Sequence, residues 1–281
     1  MKTPASIGLF APNRSDECLR AIDVLVQGCN EAGLAVAEVA ALTAGGSPAE
    51  LPEVLLCLGG DGTMLEAAKR AALTGTILGG INMGHLGFLT TCGREEIPRL
   101  VSALATGTYE IEERSMLRAE RSNPLTGAVG HTHYGLNELA LMRAQTGKMI
   151  DVDVEVDGKL LNRYHADGIL VATPTGSTAY SLSAGGPLVW PTSQMLSLTP
   201  ICPHSLTNRS VTLPDSMEIV LRPRERRGRA GERLIYSLDG RSTHDIALNE
   251  TLTVRKAPVP LRLLALPGND YAARLRAKLG W

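Results

Sequence analysis

The sequence predicts an α/β domain built on a parallel sheet, followed by a mainly-β domain. Three observations carry this. Short apolar runs alternate with segments of helical spacing over the first hundred residues. After Gly107 the period becomes two, most clearly where Ile150, Val152, Val154 and Val156 alternate with Asp151, Asp153, Glu155 and Asp157. The last stretch, Asp270 to Leu279, returns to helical spacing with Asp270 placed as its cap. The expected division is 1–107, with 262–281 returning to it, and 108–261.

Each element has its own reason. Ile7 to Ala11 reads as a first strand. Ser15 can cap a helix whose first turn holds Asp16 and Glu17, where carboxylates meet the positive end of the helix dipole. Leu19, Ile22, Val26 and Cys29 share a face, and Gly33 ends the run. Leu34 to Leu42 reads as the second strand. Val54 to Leu58 is apolar throughout, as a strand covered on both faces should be. Leu65, Ala68 and Ala72 mark a helix stopping at Gly75, followed by a strand at Thr76 to Ile81 and a helix at Glu95 to Ala105.

In the second domain, strands are expected at Ile111 to Ala119, Gly135 to Met142, Ile150 to Val156, Ile169 to Thr173, Met217 to Leu221, Leu234 to Leu238 and Leu252 to Arg255. Asp157-Gly158 is a hairpin turn signal. Arg222 to Arg233, with six arginines and two glutamates, reads as a solvated hairpin loop, the sharper alternative being an anion contact. Tyr271, Leu275 and Leu279 would let the terminal helix pack back on the first domain.

Composition narrows the function. An apolar content of 44% in 281 residues is ample for buried cores. A net charge of -1 argues against a general nucleic-acid or membrane binder. No apolar run approaches the roughly 20 residues that span a bilayer, and the opening reads as a strand, not a leader. The five cysteines, Cys18, Cys29, Cys57, Cys92 and Cys202, are odd in number and nowhere closely paired. Neither a disulfide framework nor a zinc site is indicated, so the expected compartment is the cytoplasm. His131 and His133 would share a strand face but have no evident third ligand, and they read as structural.

The chemistry concentrates after the buried strand Val54 to Leu58, in Gly59-Gly60-Asp61-Gly62-Thr63, with a helix behind it. The carboxyl end of a parallel strand is where open α/β sheets bind ligands. Glycines there let a phosphate approach the backbone, and N–H groups at a helix start favour anions. A carboxylate in such a loop would repel phosphate unless it binds Mg²⁺ or takes a proton from an attacking hydroxyl. The plain alternative is that Asp61 only caps a tight turn. The run lacks both a Gly-Lys-Ser/Thr ending and a G-x-G-x-x-G pattern, which disfavours a P-loop and a dehydrogenase. A second glycine loop, Gly79 to Phe88, is expected beside the first, and such a pair suits a pyrophosphate.

The second domain contributes Asn137 and Glu138 between apolar neighbours. Side chains next to each other on a strand point to opposite faces, so both serve one ligand only at a strand end or bulge. Asn can pair with a base edge and Glu can hold a ribose diol; the alternative is one buried and one exposed polar residue. Asp167-Gly168 precedes the strand at Ile169, and Pro174 to Pro187 is rich in small hydroxyl residues around Tyr180. Such a turn can read a base through backbone and hydroxyl groups, with Tyr180 stacking or hydrogen-bonding. Ser177 has no partnered histidine in a recognisable motif, which disfavours a serine hydrolase.

Gly59 to Thr63, the Asn82 to Phe88 loop, Asn137-Glu138, Asp167-Gly168, the Thr173 to Pro187 run and Asp239-Gly240 together resemble the ATP-dependent NAD kinases, over nearly the whole chain. The resemblance implies a Rossmann-like first domain and a β-rich second domain. It implies transfer of the γ-phosphoryl group of ATP, with Mg²⁺, to the adenosine ribose 2′-hydroxyl of NAD, in a homodimer or homotetramer. Asp61 would accept the hydroxyl proton, Gly59, Gly60, Gly62 and Thr63 would form the phosphate loop, and Gly62 would lie beside the dinucleotide. Asn137 and Glu138 would hold NAD. Lys148, His165 and Asp167 would contact it, and Thr178, Ala179, Tyr180, Ser181, Leu182 and Ser183 would cradle a base. Arg241 stands where the family usually has Gln and leaves that contact open. Diacylglycerol and sphingosine kinases share the glycine-aspartate run, so a lipid or sugar kinase is the first rival. A non-catalytic dinucleotide sensor is the second.

Overall fold

The computed structural model describes residues 1–39, 51–84, 87–144, 149–205, 207–224 and 233–281. The chain forms two compact units, Met1–Glu113 with Leu261–Trp281, and Arg114–Pro260.

The first unit opens with β1 (Ile7–Phe10), buried along its length, and α1 (Asp16–Glu31). Ser15 caps α1, its side chain accepting from the Cys18 amide at 3.3 Å. The face that α1 buries is Cys18, Ala21, Ile22, Leu25 and Cys29. It is rotated from the expected one, leaving Leu19 exposed. Then come β2 (Val36–Glu38), β3 (Val54–Leu58), α2 (Asp61–Thr74), β4 (Ile77–Asn82), β5 (Cys92–Gly93), α3 (Ile97–Thr106) and β6 (Glu110–Arg114). After the second unit the chain returns as β19 (Leu261–Ala265) and α5 (Tyr271–Leu279). Among the described residues the sheet order is β2-β1-β3-β4-β19-β6, with β5 also on β4. β1 pairs in parallel with β2 and β3, and β4 with β3, β5 and β19.

Three expectations are corrected here. The strand expected over Leu34 to Leu42 is only Val36–Glu38, a partly exposed edge strand, and residues 40–50 lie outside the described residues. α2 buries Met64, Ala67, Ala68, Ala71 and Ala72, not Leu65. This row of small residues lets the helix lie close on β4, where a Cβ on Gly80 would sit 2.6 Å from the Met64 sulfur. The terminal helix does not bury Tyr271, Leu275 or Leu279; its buried residue is Arg274.

The second unit runs β7 (Leu117–Asn123), β8 (Ala128–Gly135), β9 (Glu138–Arg143), β10 (Ile150–Val156), β11 (Lys159–Ala166) and β12 (Gly168–Ala172), then α4 (Tyr180–Ser183). β13 (Met195–Ile201), β14 (Val211–Pro214), β15 (Ile219–Arg224), β16 (Leu234–Leu238), β17 (Ser242–Ile246) and β18 (Thr251–Lys256) complete it. Two antiparallel sheets result, ordered β11-β10-β15-β18-β7-β8 and β14-β13-β12-β9-β16-β17. Alternate side chains of both sheets, including Val152, Val154, Leu221 and Val254 from one and Leu139, Val171, Leu198 and Tyr236 from the other, share one core. Asp157 and Gly158 both have positive φ, as the hairpin signal requires.

The stretch Ile111 to Ala119 is not one strand. It breaks between Arg114 and Leu117, where the chain leaves the first unit's sheet for the second unit's. Gly135 to Met142 also breaks: Gly135 ends β8 and Glu138 starts β9, leaving Leu136 and Asn137 in the bend. The arginine-rich segment is partly strand. Arg222 and Arg224 lie in β15 and pair with Glu155 and Asp153, while residues 225–232 lie outside the described residues. Among the described residues no helix is long and apolar enough to cross a membrane.

Candidate active site

In the first unit, β3 and β4 run in parallel register to Leu58 and Ile81, so the glycine loops that follow start side by side. The Gly59 amide donates to the Ile81 carbonyl at 3.0 Å. Gly59 has φ +155, and a Cβ there would lie 2.2 Å from Thr63 Oγ1, so the Thr63 side chain fits over this loop only because residue 59 is glycine. Gly60 is the N-cap of α2 and supplies no side-chain bond. Asp61 is the first helical residue, where a negative charge suits the helix dipole.

Asp61 does not cap its own helix. Its Oδ2 accepts from the Phe88 amide and its Oδ1 from the Leu89 amide, each at 2.9 Å. The carboxylate therefore clasps the second glycine loop to the first. Gly87 makes this approach possible, because a Cβ there would lie 2.0 Å from Asp61 Oδ1. The Gly87 amide donates to Thr90 Oγ1 at 3.1 Å. The amides of Phe88 and Leu89 are thus committed to Asp61. Asp61 is half-buried, and Gly60 and Gly62 beside it are exposed. Each carboxylate oxygen carries more than one lone pair, so a carboxylate anchored by single amide bonds can still accept a proton from a bound hydroxyl.

In the second unit, Asp239 organises a second cluster. It forms the β16–β17 turn with Gly240, at φ 52 and 65. Its carboxylate accepts from the amides of Leu136 at 2.8 Å, Asn137 at 2.7 Å and Glu138 at 3.2 Å. Thr173 holds the same bend from the carbonyl side, its Oγ1 donating to Leu136 O at 2.6 Å and its amide to Asn137 O at 2.9 Å. Gly176 packs flat on this bend, where a Cβ would lie 2.1 Å from the Asn137 oxygen.

Glu138 is consequently buried, at 6% exposure, with Oε2 lacking a hydrogen-bond partner. Burial, and then the neighbouring Asp239 charge, push its carboxyl up to about 7, against a bond from the Tyr180 amide. Burial raises Asp239 as well, against the pull of the three amides and the Arg241 cation. Asn137 is half-buried, so the pair sits at a strand end, with one side chain enclosed and the other part-exposed.

Residues 48–109 match the ATP-NAD kinase N-terminal domain, and residues 136–266 match the ATP-NAD kinase C-terminal domain. An NAD kinase of Cytophaga hutchinsonii is 41% identical over 230 residues, covering 82% of this chain and 76% of that protein. The chain belongs to the NAD kinase family. Two solved structures share the fold. Yeast NADH kinase complexed with NADH has a TM-score of 0.88 at 22% identity, covering 100% of this chain and 89% of that one. An NAD kinase from Archaeoglobus fulgidus in complex with ATP has a TM-score of 0.77 at 23% identity, covering 98% of each.

The remaining expected site residues of this NAD kinase chain fall in the second unit. Tyr180 to Ser183 form α4, preceded by a 3₁₀ turn at Thr175–Thr178. Thr178 Oγ1 donates back to Thr175 O at 3.2 Å, and Ser181 is fully buried, within 3.4 Å of Thr199 Oγ1. Tyr180 is part-exposed beside Glu138. Asp167 pairs with Arg143 at 2.8 Å, and His165 Nδ1 lies 2.7 Å from Asp151 Oδ1. Arg241 is exposed on the turn next to Asp239. Lys148 lies outside the described residues. Sequence reasoning missed the clasp made by Asp239 and the part played by Gly87. The Asp-Gly turn signal at 239–240 was there to be read, but its three amide partners are more than a hundred residues away.

Proposed function

We propose that this NAD kinase transfers the γ-phosphoryl group of ATP to the adenosine ribose 2′-hydroxyl of NAD, giving NADP and ADP, with Asp61 accepting the hydroxyl proton. The observation that carries the reading is the Asp61 carboxylate held by two amides of a neighbouring glycine loop. Phosphoryl transfer asks a protein for placement and charge stabilisation more than for covalent chemistry. A carboxylate fixed in advance removes the cost of orienting a base at each turnover. Asn137 and Glu138 would hold the dinucleotide, Glu138 through the buried oxygen that lacks a partner. The Tyr180 to Ser183 turn, His165, Asp167, Lys148 and Arg241 would complete its binding, and the loop from Gly59 to Thr63 would carry phosphate.

Among the described residues there is no group of three or more His, Cys, Asp or Glu that could hold a metal ion. Mg²⁺ would be held mainly by the oxygens of the nucleotide phosphates, which call on few protein carboxylates, so that Asp61 keeps its proton-accepting role. Bound there, it would neutralise charge on the transferred phosphoryl group.

The test is NADP formation measured with ATP and, separately, with polyphosphate as donor, and with diacylglycerol and fructose 6-phosphate as rival acceptors. Asp61→Asn should lower turnover by at least about 10²-fold while NAD binding persists. Near-parent turnover in that variant overturns the base role. Binding of NAD with no ATP consumption would instead make the protein a sensor.

A further inference from the structure

The terminal helix α5 carries a charged residue that the reading above leaves unused. Arg274 is 8% exposed, and it is the residue by which α5 is buried. Nη1 donates to the carbonyl oxygens of Phe88 at 3.1 Å and Thr90 at 3.0 Å, and Nη2 to Asn269 Oδ1 at 2.9 Å. Those carbonyls belong to the turn whose amides hold Asp61. The peptide group joining Phe88 to Leu89 is bridged directly: its oxygen accepts from Arg274 and its N–H donates to Asp61. A peptide group is a rigid plane, so fixing its oxygen fixes the direction of its hydrogen. A cation on the oxygen also polarises the plane and strengthens the N–H as a donor.

The chemistry of the residue supports this. Burying a cation is costly unless its donors are satisfied, and packing alone would be served by leucine. Nη1 holds two carbonyls while Nη2 in the same rigid plane holds Asn269, a set geometry that a flexible ammonium does not reproduce. The turn is tied on its other sides too. The Thr91 amide donates to Gly80 O at 2.7 Å, and Thr91 Oγ1 to Leu264 O at 2.8 Å. Asp270 starts the helix by accepting from the Ala273 amide at 3.0 Å, and the Tyr271 ring lies 6.2 Å from that of Phe88.

We propose that Arg274 is a positioning residue for the transfer reaction: by gripping the carbonyl edge of the Phe88 to Thr90 turn, it fixes where the amide edge presents the Asp61 carboxylate. This rests on the reading of Asp61 as proton acceptor. The guanidinium itself need touch neither substrate nor reacting atoms.

The experiment compares Arg274→Ala, Arg274→Lys, Asp61→Asn, the double variant Asp61→Asn/Arg274→Ala, and the exposed-site control Arg276→Ala in the full chain. It reads kcat, the KM for NAD and for ATP, thermal midpoint, and rescue by added guanidinium. Arg274→Ala should lose about ten- to a hundredfold in kcat, the scale of a small misplacement, with both KM values nearly unchanged. Guanidinium should restore part of that loss, and Arg274→Ala should add little to the loss already caused by Asp61→Asn. If the alanine protein does not fold, Arg274→Lys carries the test, with kcat lowered at an unchanged midpoint. Parent kcat in folded Arg274 variants, or a loss that guanidinium does not restore and that recurs in full on the Asp61→Asn background, overturns the inference and leaves the role of Asp61 standing. Parent turnover in Asp61→Asn overturns both.

Discussion

Glu138→Gln should make the protein more stable relative to the parent as pH rises. Glu138 is 6% exposed, and its carboxyl is raised from 4.5 to about 7, first by burial and then by Asp239. An acid whose folded-state pKa lies above its unfolded value binds more protons folded than unfolded between those two values. Folding stability therefore falls as pH climbs through that window. At roughly 1.4 kcal/mol for each tenfold in acidity, the loss is about 3 kcal/mol, complete above pH 7. Glutamine has no such titration and keeps an oxygen for the Tyr180 amide. Urea unfolding of the two proteins from pH 4.5 to 8 should give a difference that grows across the window in favour of glutamine and then levels. A difference that stays flat refutes the reasoning. The same shift reaches the ligand. If a dinucleotide hydroxyl fills the unpartnered Oε2, binding favours the ionised form and should release up to about half a proton at pH 7. Calorimetry in buffers of different ionisation heat measures that release, and a heat independent of buffer removes Glu138 from the contact.

Gly87→Ala places a Cβ where the structure has Asp61 Oδ1 at 2.0 Å, so the clasp must open. NADP formation should fall about 10²-fold with NAD affinity little altered, and parent turnover would show the clasp to be dispensable. Ser177 is fully buried, its hydroxyl donating toward Pro174 O at 2.7 Å and Val189 O at 3.2 Å and accepting from the Val189 amide at 3.0 Å. Ser177→Ala should cost about 1–3 kcal/mol in a denaturant melt while leaving kcat of the folded protein unchanged, and lost kcat without lost stability would give this serine a chemical role instead.

The two-domain architecture was legible because backbone period is a local property. The all-apolar run Val54 to Leu58 and the alternation from Ile150 to Val156 each state their own environment. Edges and breaks were less legible. Ser242–Ile246 and Val211–Pro214 are edge strands with only Ile246 buried between them, so little apolar patterning marks them. The break at Leu136 and Asn137 is imposed by Asp239 and Thr173, residues far away in sequence, and nothing local announces it. The glycines beside the site were visible as types, but only the fold says which are obligatory. Gly87 and Gly176 each have another group within 2.1 Å of where a Cβ would be, whereas a Cβ on Gly60 would meet nothing within 4 Å. Arg274 was hidden for the opposite reason: the Tyr271, Leu275 and Leu279 pattern pointed to an apolar face, and the residue that is buried carries a charge.

Asp61 and Asp239 solve the same physical problem in different units. Each carboxylate draws consecutive backbone amides of a distant loop onto itself, which fixes that loop more firmly than side-chain packing alone could. The consequences differ because the surroundings differ. Asp239 is a non-glycine residue held at positive φ, and its enclosed charge sits beside a second buried carboxyl. Burial, and then that charge, keep Glu138 near neutrality's edge, able to take or release a proton when a donor arrives. Asp61 stands at a helix start with exposed glycines on both sides, where a ligand can reach it. A carboxylate used as a clasp is therefore structural or chemical according to what else can approach it. Replacing Asp239 by Asn should accordingly disturb binding and stability, whereas replacing Asp61 by Asn should act on turnover.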